Sequence, residues 1–135
     1  MENMKKLNIS PSLGRLDEAT EFFESFLTEA GASMKVIMQV NVAVDEVLSN
    51  IIRYSGATSV TLTCFRDGEK AALSFSDDGR SYDPTAQTDP DITLSAEERE
   101  IGGLGIFIIK KTMDSVTYER RNGLNILTLV KQLNR

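Results

Sequence analysis

The chain has 135 residues, 41% of them hydrophobic and 26% charged, the profile of one soluble globular domain that can bury its own core. It has no histidine and a single cysteine, Cys64, which excludes an intramolecular disulfide, a Cys/His zinc site and a histidine general base. Its net charge of −5 weighs against nucleic acid as the main partner, because backbone phosphates need a positive patch; a single nucleotide remains open.

In chain order, Met4 to Ile9 reads as a first strand ended by Ser10-Pro11. No apolar run after Lys5 and Lys6 is long enough for a signal or a membrane span, so the expected compartment is a reducing cytoplasm. Ser12 is placed to cap a helix that runs to about Ala30, with Leu13, Leu16, Ala19, Phe22, Phe23, Phe26 and Leu27 at helical spacing. Gly31 stops it. Ser33 caps a second helix that ends near Tyr54, before Ser55-Gly56, with an apolar stripe from Val36 to Ile52. The pattern then changes to period two. Residues 58–77 read as a hairpin around Asp67-Gly68. Residues 78–101 hold Pro84 and Pro90 and read as a long functional loop, expected to be mobile over 83–101. Ile106 to Met113 reads as a third helix, and Val116 to Val130 as a second hairpin around Asn122-Gly123. The expected fold is α+β: a two-layer sandwich of a mixed, mostly antiparallel sheet with three helices on one face, forming one domain over 1–135.

Three places could carry chemistry. Glu46 and Asn50 are four apart and share a helix face. A solvated surface explains such a pair as well as function does. Chemically, an amide oxygen suits magnesium, and a carboxylate one turn away suits proton abstraction. Asp77 continues the series Ala71, Leu73, Phe75, so it should point to the covered face. There it is either a turn-opening residue with Asp78 and Gly79 or an acceptor for the amine of a base, with Gly79 allowing close approach. Gly102-Gly103-Leu104-Gly105 precedes Ile106 to Ile109. Glycines opening an apolar helix expose N–H groups that suit phosphate, and tight helix packing would explain them equally. They match neither the P-loop nor the dinucleotide fingerprint. Cys64, Phe22, Phe23 and Phe26 read as core, the phenylalanines alternatively as a dimer surface.

In this order the three places resemble a known family. Glu46 to Asn50 resembles the N box of GHKL (Bergerat-fold) ATPases, Asp77-Asp78-Gly79 their first glycine box and Gly103-Leu104-Gly105 their second, with residues 80–101 in the place of the ATP lid. The small size, the stretch DDGRSYDP and the segment from Gly102 to Leu133 resemble the bacterial anti-sigma-factor serine/threonine kinases. The resemblance implies ATP and Mg2+ as cofactors. Glu46 would be the catalytic base, Asn50 the Mg2+ ligand and Asp77 the adenine partner beside Gly79. Gly103, Leu104 and Gly105 would lie along the phosphates, and Lys110 or Arg99 could reach the γ-phosphate. It further implies a sigma factor and an anti-anti-sigma protein as partners and a homodimer, with no nucleic acid and no membrane. The chain departs from the family pattern at Ser81, where a second glycine is common, and at Tyr54, where the family has a histidine-like residue. The alternatives are an ATP-gated binding module without turnover, or an excised histidine-kinase-type ATP-binding domain.

Overall fold

The computed structural model describes residues 4–86 and 103–134. Their order is β1 (Lys5–Ile9), α1 (Leu16–Glu29), α2 (Met34–Asn50), β2 (Val60–Asp67), β3 (Lys70–Asp77), α3 (Gly103–Thr112), β4 (Ser115–Arg121) and β5 (Leu124–Gln132). The strands form one sheet in the order β1-β2-β3-β5-β4. All four pairings are antiparallel, so the sheet is wholly antiparallel rather than mixed.

One strand phase faces the helices. Val60, Leu62 and Cys64 on β2, Leu73 and Phe75 on β3, and Leu127 and Leu129 on β5 are buried there. The helices answer with Phe23 and Leu27 of α1, Val36, Val40, Val44 and Leu48 of α2, and Ile106 and Ile109 of α3. Phe23 and Phe75 meet with ring centroids 5.4 Å apart. Each such side chain contributes about 1.5–3 kcal/mol on leaving water. Phe23 and Phe26 are thus core, and Phe22 packs half-buried against it. Burial pushes the Cys64 thiol up to about 12, which makes it an inert core residue. Among the described residues no helix is long and apolar enough to cross a membrane.

Several element ends differ from expectation for local reasons. Ser12 makes no side-chain cap; a short 3-10 turn over Leu13–Arg15 intervenes, and α1 starts at Leu16. Ser33 does cap α2, accepting from the Val36 N–H at 3.2 Å. The first hairpin turns on Gly68 and Glu69, since Asp67 still pairs with Lys70. The second turns on Asn122 and Gly123, both at positive φ, as a tight hairpin of this type requires. The third helix begins at Gly103, so its glycines lie inside the first turn. Of the expected lid, Pro84–Ala86 forms a short 3-10 turn; residues 87–102, with Pro90, Arg99 and Gly102, lie outside the described residues.

The second helix does not run to Tyr54 as a regular α-helix. After Asn50 it widens into a π-turn over Ile51–Ser55 and stops at Gly56, φ 68°. The Ser55 hydroxyl donates to Ile51 O at 2.9 Å. The open carbonyls of Tyr54 and Ser55 accept from Arg80 Nε at 2.6 Å and Arg80 N–H at 2.8 Å. A helix end that would otherwise leave carbonyls unpaired is therefore tied to the loop after β3.

The start of β2 and the end of β3 are joined by Asp78. Its Oδ1 accepts from the Thr58 and Ser59 N–H groups at 2.8 and 3.1 Å, and its Oδ2 from the Thr58 hydroxyl at 2.5 Å. These bonds, the Thr58 hydroxyl first, hold the carboxyl below its ordinary value of 3.8. A depressed folded pKa contributes stability above the unfolded value and loses it as pH falls through the folded one. In urea unfolding measured as pH falls below 3.8, the wild type should lose stability more steeply than Asp78→Asn. Parallel curves would remove this contribution.

Candidate functional site

Between the α2–α3 layer and the sheet lies a cleft. Val47, Asn50 and Ile51 line it from α2 and its π-turn, Ile106 from α3, Phe75 and Asp77 from β3, and Asn125 and Leu127 from β5. Tyr118 of β4, with Tyr82 and Pro84 from the loop after β3, completes the lining. The walls are mostly apolar with a few polar groups at one end, the usual make-up of a small-molecule site.

Asp77 is buried, as its phase on β3 demands, at 4% exposure. Its Oδ1 accepts from the Gly79 N–H at 2.9 Å and from Asn125 Nδ2 at 3.1 Å. Its Oδ2 has no hydrogen bond among the described residues. A carboxylate oxygen left open beside an apolar slot is an acceptor available to a donor. Asp77 opens the turn, its Oδ1 taking the N–H two residues on, and also lines the cleft, while Asp78 ties that turn to Thr58 and Ser59.

Gly79 has a packing reason of its own. A Cβ there would overlap the Ser55 carbonyl and lie 2.7 Å from Ser55 Cβ and Oγ. The glycine lets the β3 loop lie against the π-turn, and its carbonyl accepts from Arg120 Nη1 at 2.8 Å.

On α2, Asn50 is 3% exposed. Asn50 Oδ1 and Glu46 Oε2 are both buried without a hydrogen-bond partner among the described residues, as are Gln39 Oε1 and Asn41 Oδ1. Asn50 and Asp77 thus line one cleft. Glu46 lies one helical turn back along α2 and packs against Gly105 in the first turn of α3. Gly103 and Leu104 open α3; beyond that backbone placement they lie outside the described residues. Lys110 Nζ donates to Thr85 O at 3.4 Å. Tyr54 stacks near Tyr82, with centroids 5.5 Å apart.

Asn125 was missed by sequence reasoning. It pairs with Asp77 in register and makes four hydrogen bonds. It donates to Asp77 Oδ1 and, at 2.7 Å, to Arg80 O; it accepts from the Tyr118 hydroxyl at 2.5 Å and the Tyr82 N–H at 3.2 Å. The available signal was a polar residue in the inward series Asn125, Leu127, Leu129. Asn125→Leu leaves Asp77 and Tyr118 short of partners. Urea unfolding should show a loss of about 1–3 kcal/mol, the cost of unsatisfied buried polar groups; a change within error would show that the network is dispensable.

The chain matches the family model described as the histidine kinase-like ATPase domain over residues 9–131. It is 26% identical over 127 residues to the serine/threonine-protein kinase BtrW of Bordetella bronchiseptica, covering 91% of this chain and 89% of that one. It is 29% identical over 133 residues to the serine-protein kinase RsbW of Listeria monocytogenes, covering 91% and 80%. Among solved structures it resembles the RsbU and RsbW domains of Rv1364c from Mycobacterium tuberculosis, with TM-score 0.67, 13% identity and coverage of 96% of this chain and 32% of that one. It also resembles the catalytic domain of the histidine kinase ThkA, with TM-score 0.56, 13% identity and coverage of 96% and 98%. At that identity the two structures speak for the fold.

Proposed function

The chain belongs to the histidine kinase-like ATPase domain family, and from that premise we propose that it is a Mg-ATP-dependent serine/threonine kinase and anti-sigma factor. Its acceptor is an anti-anti-sigma protein, its second partner a sigma factor, and its working form a cytoplasmic homodimer. The observation that carries the reading is the pair of buried oxygens on α2 without a partner among the described residues, Glu46 Oε2 and Asn50 Oδ1, the second in the cleft that Asp77 also lines. The protein kinases BtrW and RsbW, each similar over nine-tenths of the chain, support the choice of acceptor.

Each residue has a role its surroundings permit. Asp77 Oδ2 accepts from the exocyclic amine of adenine while Asn125 and the Gly79 N–H hold the other oxygen. Phe75, Ile106 and Leu127 provide apolar walls for the base. Asn50 Oδ1 is a neutral oxygen of the kind magnesium takes alongside phosphates and waters. Magnesium, when bound, neutralises charge on the phosphates. The N–H groups of Gly103, Leu104 and Gly105 open α3 and face anions favourably. Glu46 accepts the proton of a serine or threonine hydroxyl as that oxygen bonds to the γ-phosphorus and ADP leaves. Positioning and charge neutralisation supply most of the rate, and the base about 10²- to 10⁴-fold.

The test combines calorimetry with labelled ATP and an anti-anti-sigma protein. Asp77→Asn should weaken nucleotide binding by about 1.5–3 kcal/mol, the scale of a hydrogen bond to a charged group. Glu46→Ala should abolish transfer with affinity nearly intact, and Asn50→Ala should lower both metal-dependent affinity and transfer. No binding by wild type at millimolar nucleotide would sink the reading. Binding of ATP and sigma factor without transfer would replace it with an ATP-gated binding module.

A further inference from the structure

We infer that Gly105 is a positioning residue for Glu46: by lacking a side chain it forms the seat on which the carboxylate rests, so that α3 aims the base carried by α2. The catalytic part of this inference rests on the kinase reading; the structural part rests on geometry alone.

A Cβ on Gly105 would fall on Glu46 Cδ and on both carboxylate oxygens. The overlap is relieved only if the Glu46 carboxylate, the mobile end of its side chain, swings out of a half-buried place where Oε2 is enclosed, so relief gives up the seat itself. Gly14, Gly31, Gly56, Gly68 and Gly123 have open space where a side chain would go, and the last four have positive φ. Gly105 has neither excuse. It lies within α3 at a conformation any residue adopts, where glycine is among the poorest helix formers and alanine the best. What opposes a side chain there is the Glu46 carboxylate.

The seat also fits the chemistry. Among the described residues Glu46 Oε2 is held by shape and not by a hydrogen bond, so turning the carboxylate toward an incoming hydroxyl breaks no bond. A carboxylate pinned by neighbouring donors would have to break those bonds first. The glycine fixes the direction of the base without competing for its proton.

The experiment places Gly105→Ala in three backgrounds: wild type, Glu46→Gln, which keeps the bulk, and Glu46→Ala, which empties the seat. Thermal denaturation should show a lower Tm in the first two and a higher Tm in the third, where alanine's helix preference acts unopposed. With ATP and the acceptor protein, Gly105→Ala in wild type should lower kcat by about 10²-fold or more, the scale of general-base assistance. The KM for ATP should change far less, and Glu46→Ala should show no further loss. A Tm change of the same sign in all three backgrounds would overturn the seat. A further loss of transfer, with raised KM, in the Glu46→Ala background would assign Gly105 to phosphate approach instead. If the wild type transfers no phosphate, the kinase reading fails and the melting series still decides the structural part.

Discussion

A carboxylate buried at the end of a central strand has to be satisfied on one side and usable on the other, and the architecture around Asp77 is arranged to meet both demands. Asn125 stands opposite it in the β3–β5 pairing and fixes one oxygen. Tyr118 and the Tyr82 N–H in turn hold the Asn125 amide oxygen. Three strands and the loop after β3 therefore share one polar network in an otherwise apolar layer. Such networks repay completeness and penalise gaps. Among the described residues the second oxygen of Asp77 is left open, on a residue that lines the same cleft as Asn50.

The same division between held and free groups recurs on α2. Its inward stripe is satisfied by packing, with Val36, Val40 and Val44 fully buried, whereas Glu46 and Asn50 present oxygens that nothing among the described residues takes. Leaving polar atoms unpaired in this way costs stability. Of the residues that bear this cost, Asn50 lines the cleft. The π-turn after Asn50 belongs to this arrangement. Widened turns of this kind gather at functional sites, and this one anchors the loop after β3 through Arg80.

Periodicity was enough to read the layers, because burial on one face repeats along each element: Ala71, Leu73, Phe75 and Asp77 could be put on the covered face without any contact being known. Asn122-Gly123 located its turn for a conformational reason. Other features depend on which distant segments meet. Ser55-Gly56 correctly ends the helix, yet the π-turn arises from Arg80, 25 and 26 residues on, and has no local signature. Asn125 lies 48 positions from Asp77, so their pairing follows from strand order, which composition does not encode. Asp67-Gly68 signalled a turn but not its register, which the ladder from Val60 to Asp67 set one residue later. The glycines at 79 and 105 were legible as glycines and not as contacts, since each is defined by a neighbour, Ser55 and Glu46, from another element.

The contact between Gly79 and Ser55 bears on how a lineage of such chains can drift. Glycines in loops are often tolerant of replacement, at the expense of some flexibility. Here the restriction is one of volume and comes from backbone: the first atom a methyl at position 79 would meet is the Ser55 carbonyl oxygen, which also receives the Arg80 N–H. No change of side chain at 55 removes that oxygen. Position 79 should therefore stay glycine through descent whatever residue stands at 55, and a comparison of many descendants would find the two positions varying independently, although they touch and belong to different elements.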